Sequence, residues 1–178
     1  FSYSDDSGKI ILEIDKLDDE FLYINSLSRG VGNNDLGLDR GQLGNSRIVY
    51  FTKRGNKILL IQPNLRYISN SSNELENKAV EEAFARSVLF GFEIVEKSAE
   101  SFKIDLTPFL LNDAHGVSQR LRYSNSGSYS LDKSMSAIDL QRTKAFPENI
   151  EFDVLLTFKG NPSGNLVRSV TPTATNLT

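Results

Sequence analysis

Apolar and polar positions alternate along much of this chain, which is the pattern of β-strands with one buried face. The clearest case is residues 150–159, where every second position is isoleucine, phenylalanine, valine or leucine. Shorter β-branched and aromatic runs predict further strands at residues 9–14, 21–24, 47–53, 57–62, 64–68, 92–95 and 102–106. Because only Arg54, Gly55 and Asn56 separate two of these runs, and Gly-Asn suits a two-residue turn, we expect a tight hairpin between them.

One stretch changes to a helical period. Its apolar positions recur three or four residues apart, at Leu75, Ala79, Ala83, Phe84 and Val88. Asn73 is a capping residue before this stretch and Gly91 a stop after it, so we predict one amphipathic helix over residues 74–90, with Phe84 and Val88 on the sheet. Thr107 followed by proline predicts a short helical turn over residues 108–112.

The remaining segments lack a clear period. Residues 116–135 are rich in serine, asparagine, glycine and tyrosine, and we expect an exposed excursion with short strands at 120–123 and 129–133. A turn at 161–164 precedes a predicted return strand at 165–170. No internal repeat is visible.

Together these elements predict an α+β fold: a mainly antiparallel sheet, arranged as a sandwich or half-barrel, with one long amphipathic helix and a short helical turn. The 178 residues, 39% of them hydrophobic, are enough for one well-filled core. We therefore predict a single β-rich domain over residues 9–178. The polar segment at residues 1–8 is expected to be a frayed terminus or a linker.

A glycine-rich stretch between two predicted strands is the most distinctive part of the sequence. It carries five glycines between positions 30 and 44. Such a loop loses much conformational entropy when it becomes ordered. Leu36, Leu38 and Leu43 offer apolar anchors that offset this loss, so we expect the loop to pack against the body of the protein.

Asp39, Arg40 and Gln42 lie at the centre of this loop and are the candidate loop-fixing or docking residues. In the commoner use of such a charge, Arg40 bonds loop carbonyls or a carboxylate and so fixes the loop. In the other interpretation, the loop docks on a neighbouring domain. If Arg40 fixes the loop, Arg40→Ala should raise protease sensitivity near the adjacent glycines.

Composition and charge exclude several classes of function. A formal net charge of −3 and a pI near 5.3, without a lysine or arginine cluster, argue against nucleic-acid binding. No cysteine is present, so disulfides and thiolate chemistry are excluded. The apolar runs are shorter than the roughly twenty residues of a membrane helix, so we expect no membrane span and a soluble fragment.

Candidate catalytic and metal-binding residues are scarce. His115 is the only histidine, so a His-x-x-x-His zinc pair cannot form within the chain. Asp113 and His115 could bind a metal weakly or join a serine, but no Gly-x-Ser-x-Gly motif supplies that serine. The glycine-rich stretch lacks the Gly-Lys-Ser/Thr ending of a phosphate loop. We therefore assign no catalytic, cofactor-binding or metal residue, and interpret His115 as a loop or capping residue.

Several stretches resemble a known family in the same order along the chain: LGLDRGQLG, RIVYF, AFARSVLFGFEIV, LLNDAHGV, KAFPENIEFDVLLTF and VRSVTP. They are similar to the domain of unknown function near the N-terminus of large bacterial zinc-dependent, metzincin-like metalloproteases. The resemblance implies that zinc belongs to a separate catalytic domain. It also implies an exported protein, in the periplasm or cell envelope, whose partners are other domains of the parent and a peptide substrate.

Two functions of different classes follow. The first is a non-catalytic accessory domain of an exported zinc-dependent metallopeptidase, acting as scaffold, substrate guide or pro-segment. The second is a free-standing β-rich module that binds a peptide or glycan through the Ser/Asn/Tyr-rich residues 122–129. A His-Glu-x-x-His motif downstream in the reading frame would discriminate between them.

Overall fold

A computed structural model describes residues 1–171 and 175–178. The chain divides into two compact units. Unit 1 comprises Phe1–Tyr23 and Ser46–Thr107, and unit 2 comprises Ile24–Asn45 and Pro108–Thr178. The predicted grouping of residues 9–178 into one domain stays a prediction.

Unit 1 is built on a seven-stranded antiparallel sheet of order β1-β2-β7-β6-β5-β4-β3. Its strands are β1 (Ser2–Ser4), β2 (Lys9–Ile14), β3 (Phe21–Tyr23), β4 (Arg47–Arg54), β5 (Lys57–Gln62), β6 (Ser87–Lys97) and β7 (Phe102–Asp105). The predicted tight hairpin is confirmed, because Arg54 pairs with Lys57 across the Gly55-Asn56 turn. The predicted strand at residues 64–68 is wrong, since this segment is a bend after β5.

The core of unit 1 consists of β-branched and aromatic side chains, as the strand pattern predicts. Ile10, Val49, Ile58 and Ile104 are fully buried. Burying a side chain of this size contributes about 1.5–3 kcal/mol.

The predicted long amphipathic helix is wrong. Helix α1 covers only Glu74–Ala83, and none of its residues is buried. Asn73 caps it as predicted, but Phe84 already has extended dihedrals and Val88 lies in β6. The sequence after residue 86 combines a two-residue alternation of apolar side chains with pairing to β5, and this sheet pairing overrides the weaker helical period.

Unit 2 contains α2 (Thr107–Leu110, which begins at the last residue of unit 1), α3 (Val117–Tyr123), β8 (Gly127–Ala145), β9 (Ile150–Pro162), α4 (Gly164–Arg168) and β10 (Asn176–Leu177). Its sheet has the order β10-β9-β8, with antiparallel pairing throughout. The predicted strand at 120–123 is wrong because α3 covers it. The predicted return strand at 165–170 is also wrong, because α4 begins immediately after Ser163.

The fold class is confirmed in its main feature: the chain is mostly antiparallel sheet with a half-barrel arrangement, and its helices are short. Among the described residues, no helix is both long enough and apolar enough to cross a membrane.

Candidate functional site: the glycine-rich loop of unit 2

The glycine-rich loop, Ile24–Asn45, is an ordered part of unit 2. Its two limbs run antiparallel and are joined by main-chain hydrogen bonds. The N–H of Leu27 donates to the carbonyl of Gln42 (2.9 Å), and the N–H of Gly41 donates back to the carbonyl of Leu27 (2.7 Å). The N–H of Gly44 donates to the carbonyl of Asn25 (2.7 Å). The loop therefore resembles a short irregular hairpin.

Two leucines anchor the loop in the core of unit 2. Leu36 and Leu38 are 0% and 1% exposed, whereas Leu43 is 67% exposed. The first two are therefore confirmed as anchors, and the third is not one. The anchors pack in a cluster of buried residues: Val117, Leu121, Tyr129, Phe158, Val167 and Leu177.

Arg120 of α3 holds the polar side of the same segment. A single 3-10 turn, Asn34–Leu36, ends at Gly37, whose φ of 61° is left-handed. Arg120 Nε donates to the carbonyl oxygen of Leu36 (2.6 Å). The guanidinium lies against Gly37 so closely that a Cβ at that position would overlap it. Glycine at position 37 thus favours the left-handed dihedral angle and leaves space for the Arg120 guanidinium.

The three predicted loop-fixing or docking residues lie in a turn of the second limb, Asp39–Gln42, which we call the tip of the loop. The N–H of Gln42 donates to the carbonyl of Asp39 (3.1 Å), and the Gln42 side-chain oxygen accepts from the Asp39 N–H (3.4 Å). Gly41, with φ of 85°, occupies the turn position that requires a positive φ. Arg40 is exposed. Its guanidinium and the Asp39 carboxylate make no hydrogen bond or ion pair with other described residues, so a fixing or docking role for these side chains stays a prediction.

At the base of the loop, Asn25 connects to the single histidine. Asn25 Nδ2 donates to His115 Nδ1 (3.0 Å). Burial lowers the pKa of His115, and the nearby Asp113 carboxylate only partly opposes this effect. A neutral ring is also the form that can accept a hydrogen bond at Nδ1. His115 is thus a neutral structural acceptor beneath the loop.

The Asp113 carboxylate binds the first turn of α3. Its two oxygens accept the N–H groups of Val117 (2.7 Å) and Ser118 (2.9 Å). Carboxylates beside the first turn of a helix are stabilised by these donors. Among residues 1–171 and 175–178, no group of three or more His, Asp or Glu side chains could hold a metal ion.

Residues 122–129, the predicted peptide- or glycan-binding stretch, mix exposed and buried positions: Arg122, Tyr123, Asn125 and Ser128 are exposed. Ser126 and Tyr129 are 1% and 2% exposed. Ser124 Oγ donates to the carbonyl of Leu121 (3.1 Å) and is also bonded to Ser126 Oγ (2.8 Å). Burial raises the pKa of Tyr129. Ser124 and Ser126 therefore close the turn between α3 and β8, and a peptide- or glycan-binding role of the stretch stays a prediction.

Sequence reasoning missed two residues that hold the loop, Arg120 and Asn25. Arg120 is 84 positions from the carbonyl that it binds, and Asn25 is 90 positions from His115. Neither residue belongs to a motif, so local patterns carry no signal for either contact.

Comparison with known proteins gives one positive finding. The profile of a family described as "Domain of unknown function (DUF5117)" matches residues 41–177. This range begins within the tip of the glycine-rich loop and runs almost to the end of the chain. No curated protein and no solved structure matches the chain.

Proposed function

The chain belongs to the DUF5117 family, and on this premise we propose that it is a non-catalytic accessory domain of an exported, metzincin-like zinc-dependent metallopeptidase of bacteria. It would act there as scaffold, substrate guide or pro-segment. The assignment to a metallopeptidase rests on the stretches from LGLDRGQLG to VRSVTP, which resemble such proteins over nearly the whole chain. The periplasm or cell envelope is the location that this parent implies.

The observation that carries a docking role is the contrast within the glycine-rich loop. The loop is held by Leu36, Leu38 and Arg120, yet the Arg40 guanidinium in its tip and the Leu43 side chain next to the tip are exposed. A loop that is already held by core and hydrogen-bond contacts loses little entropy when it binds a partner. Exposed arginine is also among the residues enriched at protein interfaces. We therefore propose this tip as the contact with a neighbouring domain.

The ligand types in this chain support a zinc site in another domain of the parent protein. Catalytic zinc sites normally use three protein ligands drawn from histidine, cysteine and carboxylates. This sequence offers one histidine and no cysteine, and that histidine is bonded to Asn25. We propose that zinc is bound only by the catalytic domain of the parent.

The reading frame provides the first test. A His-Glu-x-x-His motif encoded downstream of residue 178 is the expected result. A stop codon soon after residue 178 would contradict the proposal and favour a free-standing module.

The second test measures docking in trans. The catalytic domain of the parent is produced separately, and its affinity for the 178-residue chain is measured by calorimetry with native chain, Arg40→Glu and Arg122→Glu. Arg122 is an exposed arginine of α3 and serves as a control for the charge change. We expect Arg40→Glu to weaken binding at least tenfold, and Arg122→Glu to leave it nearly unchanged. Equal affinities for the native chain and Arg40→Glu would show that the loop tip is not the docking contact.

A further inference from the structure

The ladder between β8 and β9 is interrupted twice in the same way. Residues 132–137 of β8 face only residues 155–157 of β9, and residues 139–144 face only residues 151–153. Each time, three extra residues bulge out of β8. Bulges of this kind redirect side chains and end regular pairing, and they are structural features in their own right.

In the first bulge, a serine hydroxyl fills the gap in the ladder. Ser136 Oγ donates to the carbonyl oxygen of Asp132 (2.7 Å) and accepts the N–H of Thr157 (3.0 Å). The Asp132 carboxylate accepts the N–H of Ser134 (3.0 Å) and so shapes the bulged residues.

The second bulge repeats this arrangement. Thr143 Oγ1 donates to the carbonyl oxygen of Asp139 (2.9 Å) and accepts the N–H of Asp153 (3.2 Å). The Asp139 carboxylate accepts the N–H of Arg142 (3.3 Å). The pattern Asp-x-x-x-Ser/Thr therefore recurs after seven residues of β8.

The two bulges define a groove between them. Their β9 partners, Thr157 and Asp153, are four positions apart, so both point to the same face of the strand and lie about 13 Å apart. Between them Ala137 pairs with Leu155 on the same face, and both line a shallow groove of about 380 Å³. Ile138, Asp139, Leu140 and Gln141 line it as well.

Arg29, from the glycine-rich loop, also lines this groove. It is exposed and makes no hydrogen bond or ion pair with other described residues. Two carboxylates belong to the second bulge: that of Asp153 is paired with Arg142 Nε (2.7 Å), and that of Asp139, which also lines the groove, accepts a main-chain N–H but forms no ion pair with a described residue. The groove thus combines an apolar floor with one cation, Arg29, and one carboxylate, Asp139, and Arg29 forms no ion pair with a described carboxylate.

We propose that this groove binds an extended peptide segment with a large apolar side chain and, two residues later, a carboxylate. The apolar side chain would lie on Ala137 and Leu155 between the bulges, and the carboxylate would pair with Arg29. Residues i and i+2 of an extended peptide point to the same side, so both groups can enter the groove together. This inference goes beyond the proposed function and does not depend on it.

Recognition by side chains is favoured here over addition of a β-strand. β8 is an edge strand of its sheet, but only residues 137–139 form a regular ladder between the two bulges. Three residues give too few main-chain hydrogen bonds for strand addition, and bulges are a known protection of sheet edges. The affinity must therefore come from the apolar contact and from the arginine–carboxylate pair.

The test uses the 178-residue chain, labelled with ¹⁵N, and three blocked peptides followed by NMR. The probes are acetyl-Gly-Phe-Ser-Glu-Gly-amide, the same peptide with Gln for Glu, and the same peptide with Ala for Phe. We expect the first peptide to shift the amide signals of residues 137–141 and 155. The Gln and Ala peptides should each bind about tenfold more weakly than the first peptide, because each loses one of the two contacts.

Three protein variants complete the test. Arg29→Gln should remove the preference for Glu over Gln in the peptide, whereas the matched surface variant Arg122→Gln should preserve it. Ala137→Phe should block the groove without harming the fold, because position 137 is exposed and aromatic residues favour strands. Its amide spectrum verifies that it is folded.

Three results would overturn the inference: no shift at groove residues up to the solubility limit of the peptide, equal binding of the Glu and Gln peptides to the native chain, or full binding to a folded Ala137→Phe variant. Shifts produced by a neutral oligosaccharide, and not by any of the peptides, would likewise overturn it in favour of a glycan site.

Discussion

Arg120 Nε donates a 2.6 Å hydrogen bond to the carbonyl oxygen of Leu36, so α3 holds the glycine-rich loop at the point where its apolar anchor enters the core. We expect Arg120→Ala to speed cleavage of the loop by a protease and to cost about 1 kcal/mol, the low end for a charged donor because the side chain is at the surface. Arg40→Ala should have a much smaller effect, since Arg40 forms no such bond.

Limited proteolysis with mass spectrometry of the fragments distinguishes these variants. Arg120→Lys is the matched control: it keeps the charge but loses the planar guanidinium, so it should behave nearly like Arg120→Ala. If Arg40→Ala were cleaved faster than Arg120→Ala, the loop would depend on the residue at its tip, as the sequence pattern predicts.

Gly37 and Gly55 have almost the same left-handed φ, 61° and 59°, but different surroundings. A Cβ at position 37 would overlap the Arg120 guanidinium, whereas one at position 55 would meet nothing within 4 Å. Both Gly→Ala changes should cost about 1–2 kcal/mol for the dihedral angle, and Gly37→Ala should cost more. Urea unfolding measures the difference. In a double mutant, Arg120→Ala should remove the excess cost, and an unchanged excess would show that the overlap is not its cause.

The strand pattern predicted the sheet well because alternation is a local signal. The predicted strand at residues 9–14 coincides with β2, and the one at 57–62 coincides with β5. The helical period of residues 74–90 was misleading after residue 83, where pairing with β5 decides the structure. Likewise, serine and asparagine in residues 116–135 indicated a loop, but they cap and close a turn around α3.

The candidate site was predictable only in part. Five clustered glycines predicted turns, and the leucines at 36 and 38 predicted buried anchors, so the residue types alone indicated an ordered loop. The partners Arg120 and Asn25 were not predictable, because a single long-range hydrogen bond leaves no periodic trace. The two bulges share a sequence pattern, since Asp132 and Ser136 recur as Asp139 and Thr143, but this pattern alone does not predict a groove or the position of Arg29.

The lowered pKa of His115 predicts a specific dependence of stability on pH. Burial disfavours the charged ring, so as the pH falls below about 6.5 the unfolded chain binds this proton before the folded chain does. Stability is therefore fully present above pH 6.5, and it decreases as the pH falls from there to the folded pKa. His115→Asn keeps an acceptor for Asn25 but does not titrate. Melting temperatures between pH 7.5 and 5 should fall less for His115→Asn than for the native chain, and parallel curves would contradict the assignment.

The 178-residue chain should neither bind zinc tightly nor cleave protein. With one histidine and no cysteine, it cannot supply the usual histidine and cysteine ligand sets of zinc. Isothermal calorimetry should show no stoichiometric zinc binding at micromolar affinity or tighter, and casein should remain intact during incubation. Stoichiometric zinc binding, or casein hydrolysis that a chelator abolishes, would contradict this prediction.

The hydroxyl of Thr143 bridges two main-chain groups that do not bond to each other across the second bulge, the carbonyl of Asp139 and the N–H of Asp153. Thr143 is 8% exposed, and it donates to the carbonyl of Asp139 while accepting the N–H of Asp153. Thr143→Val keeps the shape of the side chain and removes both bonds, so it should cost about 1–3 kcal/mol, because an unsatisfied buried main-chain group is expensive. Ser130→Ala, at an exposed position of β8, is the control and should change the free energy of unfolding by less than about 0.5 kcal/mol. Amide hydrogen exchange of Asp153 should quicken in Thr143→Val and remain unchanged in Ser130→Ala. Equal exchange rates in the two variants would show that the bulge is held by the flanking ladder and not by its hydroxyl.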